Sequence, residues 1–149
     1  MGNGDETKYR YDTTKTRMDR KDDEMVIAIN EVSEIPIYLQ IRNQIVMGIS
    51  DGRLAPGEQL PTVRALAGEI GINTMTVSKA YQLLKQEGYI YSDRRSGARV
   101  RMNFTQTGCL PEESREQLKK IISEAKIGGM TKEDFFAECE KYFGEAALK

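Results

Sequence analysis

Two short apolar stripes of helical period lie on either side of Gly71, and they constrain the fold more than any other feature of the chain. Apolar residues stand at i, i+3, i+4 and i+7 from Val63, and again from Val77. Thr62 and Asn73 occupy positions typical of N-caps, and Gly71 suits the left-handed residue that ends a helix. Two short helices joined by a glycine-containing turn predict a helix-turn-helix.

Strand alternation replaces the helical period after Gly88. Tyr89–Tyr91 and Ala98–Met102 are predicted strands, and the polar, basic residues 92–97 are a predicted turn between them. A β-hairpin behind a helix-turn-helix is typical of a winged helix. The predicted fold class is therefore α+β, mainly α with a small β-hairpin wing, followed by a short helical tail.

Two further elements are predicted ahead of the helix-turn-helix. Residues 25–29 are a short apolar run of strand length, rich in β-branched side chains. Pro36 then starts a helix, where its fixed φ is favourable and its missing N–H costs nothing. Isoleucines recur every four residues from Ile37 to Ile49, which gives this helix one apolar face.

Charge and periodicity divide the chain into three parts. Residues 1–24 are polar, show no regular period and predict a disordered N-terminal arm. Residues 25–104 form the predicted winged helix-turn-helix; they hold nine basic and seven acidic side chains, a charge of +2. Residues 105–149 hold seven basic and nine acidic side chains, a charge of −2, and predict two amphipathic helices separated by Gly128-Gly129.

Composition excludes several classes of function. The absence of histidine removes Ser-His-Asp and Cys-His nucleophiles and histidine-based zinc sites. Cys109 and Cys139 are too few for a four-thiolate site and too distant for a CxxC motif. We therefore predict no enzyme activity, no catalytic residue, no metal site and no cofactor. The longest apolar runs fall short of the ~18 residues of a membrane span, so we expect a cytoplasmic protein with no membrane partner and reduced thiols.

The region from Pro36 to Ile90 resembles the GntR family of bacterial transcription regulators. The segments that carry the resemblance are Pro36-Ile37-Tyr38, Gln40-Ile41, Gly52-Arg53-Leu54, Pro56-Gly57, Leu60-Pro61-Thr62-Val63-Arg64-Ala65-Leu66-Ala67, Gly71-Ile72, Thr76-Val77, Ala80-Tyr81, Leu84, Glu87-Gly88 and Ile90. The 45 residues after Phe104 resemble the short two-helix tail of the YtrA subfamily, which makes a dimer.

The resemblance implies a sequence-specific, DNA-binding transcriptional regulator, and more narrowly a homodimeric repressor that binds an inverted-repeat operator in double-stranded DNA. It makes residues 25–104 the DNA-binding domain and residues 105–149 a dimerisation tail. The residues alone leave an alternative open, a winged-helix protein-interaction module without specific DNA binding. The near-neutral charge of −1 and the lack of arginine in the second helix of the helix-turn-helix allow that alternative.

DNA contacts are predicted from both helices and from the wing. The predicted DNA-binding residues are Thr62, Arg64, Asn73, Thr74, Met75, Thr76, Ser78, Lys79, Arg94, Arg95, Gly97 and Arg99. For Arg64 the family's motif implies a DNA contact. The alternative is an exposed arginine that forms an ion pair with Glu58 or Glu69 and has no part in DNA binding. The family's wing has Gly-x-Gly-Thr where this chain has Arg95-Ser96-Gly97-Ala98. We expect Arg95, which stands in place of the first glycine, to supply the wing's DNA contact by binding phosphate or entering the minor groove.

The apolar stripes of the two tail helices have two interpretations. In the first, they pack on the winged helix of their own chain; in the second, they face a second subunit. The second interpretation is favoured because two DNA half-sites need two DNA-binding domains. The predicted dimer interface consists of Leu118, Ile121, Ile122, Phe135, Phe136, Cys139, Tyr142 and Phe143. The tail alone is too short to enclose a drug-sized cavity. An unidentified small-molecule effector is therefore an open alternative partner only if it binds at the dimer interface.

Overall fold

The computed structural model describes Thr16–Arg17 and residues 25–144 of the 149-residue chain. The elements in order are β1 (Thr16–Arg17), β2 (Val26–Ile27), α1 (Ile37–Ser50), α2 (Val63–Ile70), α3 (Thr74–Gln86), β3 (Ile90–Asp93), β4 (Gly97–Val100), α4 (Glu112–Ile127) and α5 (Lys132–Gly144). The chain divides into two compact units, the first ending at Asn103 and the second beginning at Phe104. The first unit is a winged helix-turn-helix, so the predicted fold class is confirmed.

One hydrophobic core holds the first unit together, with α3 packed against both α1 and α2. The α3 side chains in this core are Val77, Ala80, Tyr81 and Leu84, as the helical period predicts. The other buried apolar residues are Met25, Ile27, Ile29, Ile41, Ile45, Leu54, Leu60, Leu66, Ala67, Ile70, Ile90, Ala98 and Val100. Burial of each large aliphatic side chain contributes about 1.5–3 kcal/mol. The core therefore fixes which face of α3 is left for a partner.

Two glutamines of α1 fasten the preceding extended segment to the helix. The Gln44 side-chain amide donates to the Ala28 carbonyl (2.7 Å), and its oxygen accepts from the Ala28 N–H (2.9 Å). Gln40, which is buried, pairs with the Asn30 N–H and carbonyl in the same way, both at 2.9 Å. Because side chains satisfy these backbone groups in place of a β-ladder, the strand predicted before α1 forms only as the two residues of β2.

Strand β2 pairs antiparallel with β1, with Thr16 opposite Ile27. Strand β1 lies within residues 1–24, the predicted disordered arm, and the rest of that arm lies outside the described residues. A two-residue strand is too short to show an alternating pattern, so the sequence carries no signal for this pairing. The described part of the arm is thus a strand of the first unit.

The helix-turn-helix forms as predicted, and its caps are the expected residues. The Ala65 N–H donates to the Thr62 hydroxyl oxygen (3.1 Å) at the start of α2. The Met75 N–H donates to the Asn73 side-chain oxygen (2.7 Å) at the start of α3. Gly71 ends α2 in the left-handed conformation, with φ 68° and ψ 31°. Local chemistry therefore fixes both boundaries of the turn.

Strands β3 and β4 form the predicted hairpin. The strand β3 begins one residue later than predicted, because the Tyr89 N–H still donates to a carbonyl of α3. The outer edge of β4 is bonded to the loop before α2: the Leu60 N–H donates to the Ala98 carbonyl (2.8 Å), and the Val100 N–H donates to the Glu58 carbonyl (2.9 Å). The wing is therefore held from both sides of β4.

The second unit consists of α4 and α5 on either side of Gly128-Gly129. Pro111 is the N-cap residue of α4. The Asp134 N–H donates to the Thr131 hydroxyl oxygen (3.1 Å), which caps α5. The Thr131 hydroxyl in turn donates to the Asp134 carboxylate (2.7 Å), so the pair forms only half of a capping box. Within the described residues of α4 and α5, no side chain is fully buried.

Candidate nucleic-acid interface

The N-terminal half of α3 presents the predicted base-reading residues on its exposed face. Thr74, Met75 and Lys79 are exposed, whereas Thr76 and Ser78 are half-buried at the edge of this face. Met75 is 75 % exposed although its side chain is apolar. A mixed apolar and hydroxyl surface on a helix of this kind can contact thymine methyl groups and base-edge acceptors.

The two N-caps leave donors at the helix ends. The cap bonds use the oxygens of Thr62 and Asn73 as acceptors, so the Thr62 hydroxyl proton and the Asn73 amide N–H groups can donate outward. Both side chains are exposed. Donors at a helix N-terminus match the oxygens of a phosphate, because the helix dipole also favours negative charge there.

Arg64 is the second residue of α2 and is exposed. The alternative ion pairs with Glu58 and Glu69 do not form, and the Glu58 carboxylate instead accepts from the Ala55 N–H (2.8 Å). Within the described ranges, 16–17 and 25–144, no carboxylate pairs with the Arg64 guanidinium. With respect to the described residues, its planar set of donors is therefore available to an acceptor such as guanine or phosphate.

The sequence interpretation missed Tyr38 of α1, which joins the exposed face of α3. The Lys79 ammonium lies 3.9 Å from the centroid of the Tyr38 ring, a cation–π contact. A groove of about 520 Å³ is lined by Tyr38, Met75, Thr76, Ser78, Lys79 and Gln82. The available signal was the position of Tyr38, next to the apolar stripe of α1 within the segment Pro36-Ile37-Tyr38. Four of the predicted DNA-binding residues are thereby brought together in one groove.

The wing tip displays two cations. Arg94 and Arg95 are exposed, and among the residues that the structure describes neither forms an ion pair. The turn is closed beneath them by the Arg95 N–H, which donates to the Asp93 carboxylate (2.9 Å). This backbone bond, and after it the Ser96 hydroxyl, hold the pKa of Asp93 below its ordinary value. The two guanidinium groups are therefore available to an anionic partner.

Arg99 is placed differently from the other predicted wing contacts. Its Nε donates to the Ser96 hydroxyl (2.6 Å) and its Nη1 donates to the Gly57 carbonyl (2.9 Å). The Asp93 carboxylate lies 3.7 Å from its Nε. Gly97, another predicted contact, begins β4 with a φ of 77°, which favours glycine. The structure thus occupies Arg99 with intramolecular bonds, while Gly97 shapes the turn.

The apolar side chains of α4 and α5 form an exposed surface of the second unit. Phe135 and Cys139 are half-buried, and the other six predicted interface residues are exposed, Tyr142 by 72 % and Phe143 by 83 %. A cleft of about 440 Å³ on this surface is lined by Ile122, Ala125, Lys126, Met130, Thr131, Lys132, Phe135 and Phe136. Short helices in water are stabilised mainly by burying one apolar face against another surface.

Membrane-spanning helices and clustered metal ligands are both absent from the part of the chain that the structure describes. None of its helices combines the length and apolar content needed to cross a bilayer. None of its clusters of cysteine, aspartate and glutamate side chains reaches the three ligands of a candidate metal site.

Comparison with known proteins gives a family match. The family described as bacterial regulatory proteins, gntR family, matches residues 37–100, from the start of α1 to the end of the wing. The HTH-type transcriptional repressor YtrA of Bacillus subtilis (strain 168) is 38 % identical over 107 residues. That similarity covers 70 % of this chain and 82 % of the repressor.

Two solved structures are similar to the chain in fold. A transcriptional antiterminator from Listeria monocytogenes EGD-e matches with a TM-score of 0.69 and 33 % identity, covering 76 % of this chain and 87 % of that one. YtrA from Sulfolobus acidocaldarius, a GntR-family transcription factor, matches with a TM-score of 0.54 and 37 % identity. This second match covers 68 % of this chain and 97 % of that one.

Proposed function

Because this chain belongs to the GntR family of DNA-binding transcriptional regulators, we propose that it is a homodimeric repressor that binds an inverted-repeat operator in the cytoplasm. The observation that carries the proposal is the exposed face of α3, where Thr74, Met75 and Lys79 stand opposite the buried core face. The second helix of a helix-turn-helix reads the major groove with its N-terminal residues. The similarity of this chain to a protein named as a repressor supports a role in repression. Repression needs only that the bound protein block access to the promoter.

We assign the phosphate and guanine contacts around α2 to three side chains. Arg64, free of ion pairs to other described residues, can form two parallel bonds to guanine or to a phosphate. The Thr62 hydroxyl and the Asn73 amide donate to phosphates, since their oxygens are already occupied by the caps. Such contacts fix the register of the protein on the duplex.

We assign base readout to the exposed face of α3. Thr74 and Met75 supply methyl groups that fit thymine, and Thr76 and Ser78 supply hydroxyl groups for base edges. Lys79, held over the Tyr38 ring, is the cation of this face. Because the face lacks arginine, we expect guanine discrimination to come mainly from Arg64.

In this proposal the wing contributes electrostatic attraction to the DNA phosphates. Arg94 and Arg95 contact phosphates, and Arg95 reaches the minor groove where A·T-rich sequence narrows it. Gly97 lets the turn close beneath them. Arg99, bonded within the protein, is assigned to the position of the wing instead of to a phosphate.

Dimerisation through α4 and α5 completes the proposal. Two identical apolar surfaces around Ile121 and Phe136 can cover one another about a two-fold axis. Two heads related by that axis match two half-sites of an inverted repeat. The cleft beside Phe135 is the place where a small-molecule effector would act on this interface.

A role without catalysis agrees with the naming of the relatives as transcriptional regulators and repressors.

The test is selection of bound duplexes from a random pool, followed by footprinting and titration. We expect an inverted-repeat consensus and operator affinity at least about 10³-fold above that for scrambled DNA at physiological salt. Light scattering of the free protein should give the mass of a dimer. Equal affinity for selected and scrambled duplexes at every salt concentration would overturn the proposal, and stable capture of another protein without DNA binding would favour the interaction-module alternative.

A further inference from the structure

The wing of this protein is fastened to the loop before α2 by a set of side-chain bonds, here called the wing clamp and defined as Gly57, Gln59, Ser96 and Arg99. We propose that Gln59 and Arg99 are positioning residues, which hold the wing tip in its DNA-ready place without touching DNA. This inference rests on the proposed DNA-binding function, and it differs from the sequence interpretation, which placed Arg99 among the residues that contact DNA.

The Arg99 guanidinium joins the wing to a loop residue that lies 42 positions earlier in the chain. Its Nη1 donates to the Gly57 carbonyl (2.9 Å) in the loop before α2, and its Nε donates to the Ser96 hydroxyl (2.6 Å) at the wing tip. The Asp93 carboxylate, 3.7 Å from Nε, offsets its charge from the other side. The side chain is half-buried, so these bonds are partly shielded from water.

Gln59 supplies the second arm of the wing clamp. Its side-chain amide donates to the Ser96 carbonyl (2.6 Å), 37 residues away in sequence. Its backbone forms a bridge with Arg99, which extends the contact between this loop and β4. Ser96 is therefore held through its hydroxyl by one residue and through its carbonyl by the other.

The wing needs such support because of its size and charge. The β3–β4 hairpin has four residue pairs, and an isolated two-stranded hairpin of this size is only marginally stable in water. Arg94, Arg95, Arg99 and Arg101 repel one another within eight residues of chain. Arg99 keeps its charge, which the Asp93 carboxylate at 3.7 Å partly offsets, and its bonds tie the wing to the loop while Arg94 and Arg95 stay exposed. A preordered wing saves the entropy of ordering it on DNA.

The inference is tested with Arg99→Gln, Arg99→Lys and Gln59→Ala, with Arg101→Gln as the matched control. Arg101 is an exposed arginine of the same region that has no part in the wing clamp. In a titration against the selected operator, we expect all three clamp variants to bind about three- to tenfold more weakly, with the slope of log K against log salt unchanged. Lysine cannot reproduce the forked geometry, so restoring the charge should not rescue binding.

A phosphate contact gives the opposite pattern. In that case Arg99→Gln would lower the salt slope by about 0.9, and Arg99→Lys would restore both slope and affinity. That result would overturn the positioning role.

Hydrogen exchange of the DNA-free protein separates this inference from the proposed function. We expect the Leu60 and Val100 amides, which bond across the loop and β4, to exchange about tenfold faster in the clamp variants and unchanged in Arg101→Gln. Amides within α1 and α3 should keep their rates, since the core is untouched. Uniform acceleration throughout the first unit, or none at Leu60, would overturn the inference even if the wild-type protein bound no operator.

Discussion

The Lys79 ammonium lies 3.9 Å from the centroid of the Tyr38 ring, and this contact joins the start of α1 to the exposed face of α3. Lysine is a flexible side chain whose fixed placement costs rotamer entropy. The aromatic face offsets that cost and holds the cation beside Thr76 and Ser78 in the same groove. In the proposed function, Tyr38 thereby acts on base readout through Lys79, whose ammonium it orients.

Replacing the Tyr38 ring should weaken operator binding without unfolding the protein. We expect Tyr38→Leu to reduce affinity about two- to fivefold, the equivalent of a cation–π contact of about 0.5–1 kcal/mol. Tyr38→Phe keeps the ring face and should bind like the wild type. Fluorescence anisotropy at fixed salt, beside thermal unfolding of each variant, measures both effects. An equal loss in the two variants would show that the hydroxyl group, not the ring face, matters.

Removal of Arg64 should relax specificity at one base pair of each half-site. Arg64→Ala loses a planar double donor, so we expect discrimination at that position to fall by about 1–3 kcal/mol. Arg53→Ala is the matched control, because the Arg53 guanidinium is already paired with Asp51 at 2.6 Å. Competition between the operator and single-base variants measures the change. A uniform loss over all variants would assign Arg64 to phosphate alone.

Removal of Arg95 should weaken binding to all sequences alike. Arg95→Ala deletes an exposed cation of the wing tip, so we expect the slope of log K against log salt to fall by about 0.9. The ratio of operator to scrambled affinity should stay nearly constant if Arg95 contacts phosphate. Lys120→Ala, on α4, serves as the control for loss of charge and should keep the slope. A changed ratio confined to A·T-rich flanks would indicate minor-groove insertion instead.

An aspartate in the apolar surface of α4 should break the dimer. Ile121 is 52 % exposed, and Ile121→Asp places a charge where the proposed interface must be dry. We expect the monomer mass by light scattering at micromolar concentration, together with loss of tight operator binding. Lys120→Asp introduces the same charge on the opposite, polar face of the helix and should remain dimeric. A dimer that persists in Ile121→Asp would move the interface away from this surface.

Tyr81 should make stability fall at alkaline pH. Burial raises the pKa of its hydroxyl, with a further contribution from Glu69, and the hydroxyl donates to the Pro61 carbonyl (2.7 Å). The neutral phenol is favoured in the folded state, so its contribution is complete below the unfolded pKa of about 10 and declines as the pH rises above it. Urea titrations between pH 7 and 11 should show a steeper loss for wild type than for Tyr81→Phe. Parallel curves would contradict this assignment.

The parts of this structure that local chemistry determines were predictable from the sequence. The caps Thr62 and Asn73, the left-handed Gly71 and the buried stripe of α3 all depend on residues within a turn or two of one another. Arg64 and the wing-tip arginines lie exposed, as their positions in a helix-turn-helix and a hairpin indicate, and their contacts with DNA stay predictions.

The features that the sequence did not reveal depend on contacts between distant segments. Arg99 bonds to a carbonyl 42 residues away, so its inward direction cannot be read from a run of wing arginines. The Tyr38–Lys79 contact spans two helices. Strand β1 is paired with β2 and also lies against α2, both distant in sequence. In each case the partner, not the local pattern, decides the conformation.

The glutamine bonds of α1 bear on where an independently folding head begins. Residues 37–100, the stretch shared with the family, leave out the segment whose Ile27 and Ile29 are buried in the same core as Ile41. In a fragment that begins at α1, the apolar side chains of α1 that this segment covers would be exposed to water. The side-chain amides of Gln40 and Gln44 would lose their backbone partners. We therefore expect the smallest independently folding DNA-binding domain to be longer than the shared stretch and to include Met25, which is 2 % exposed.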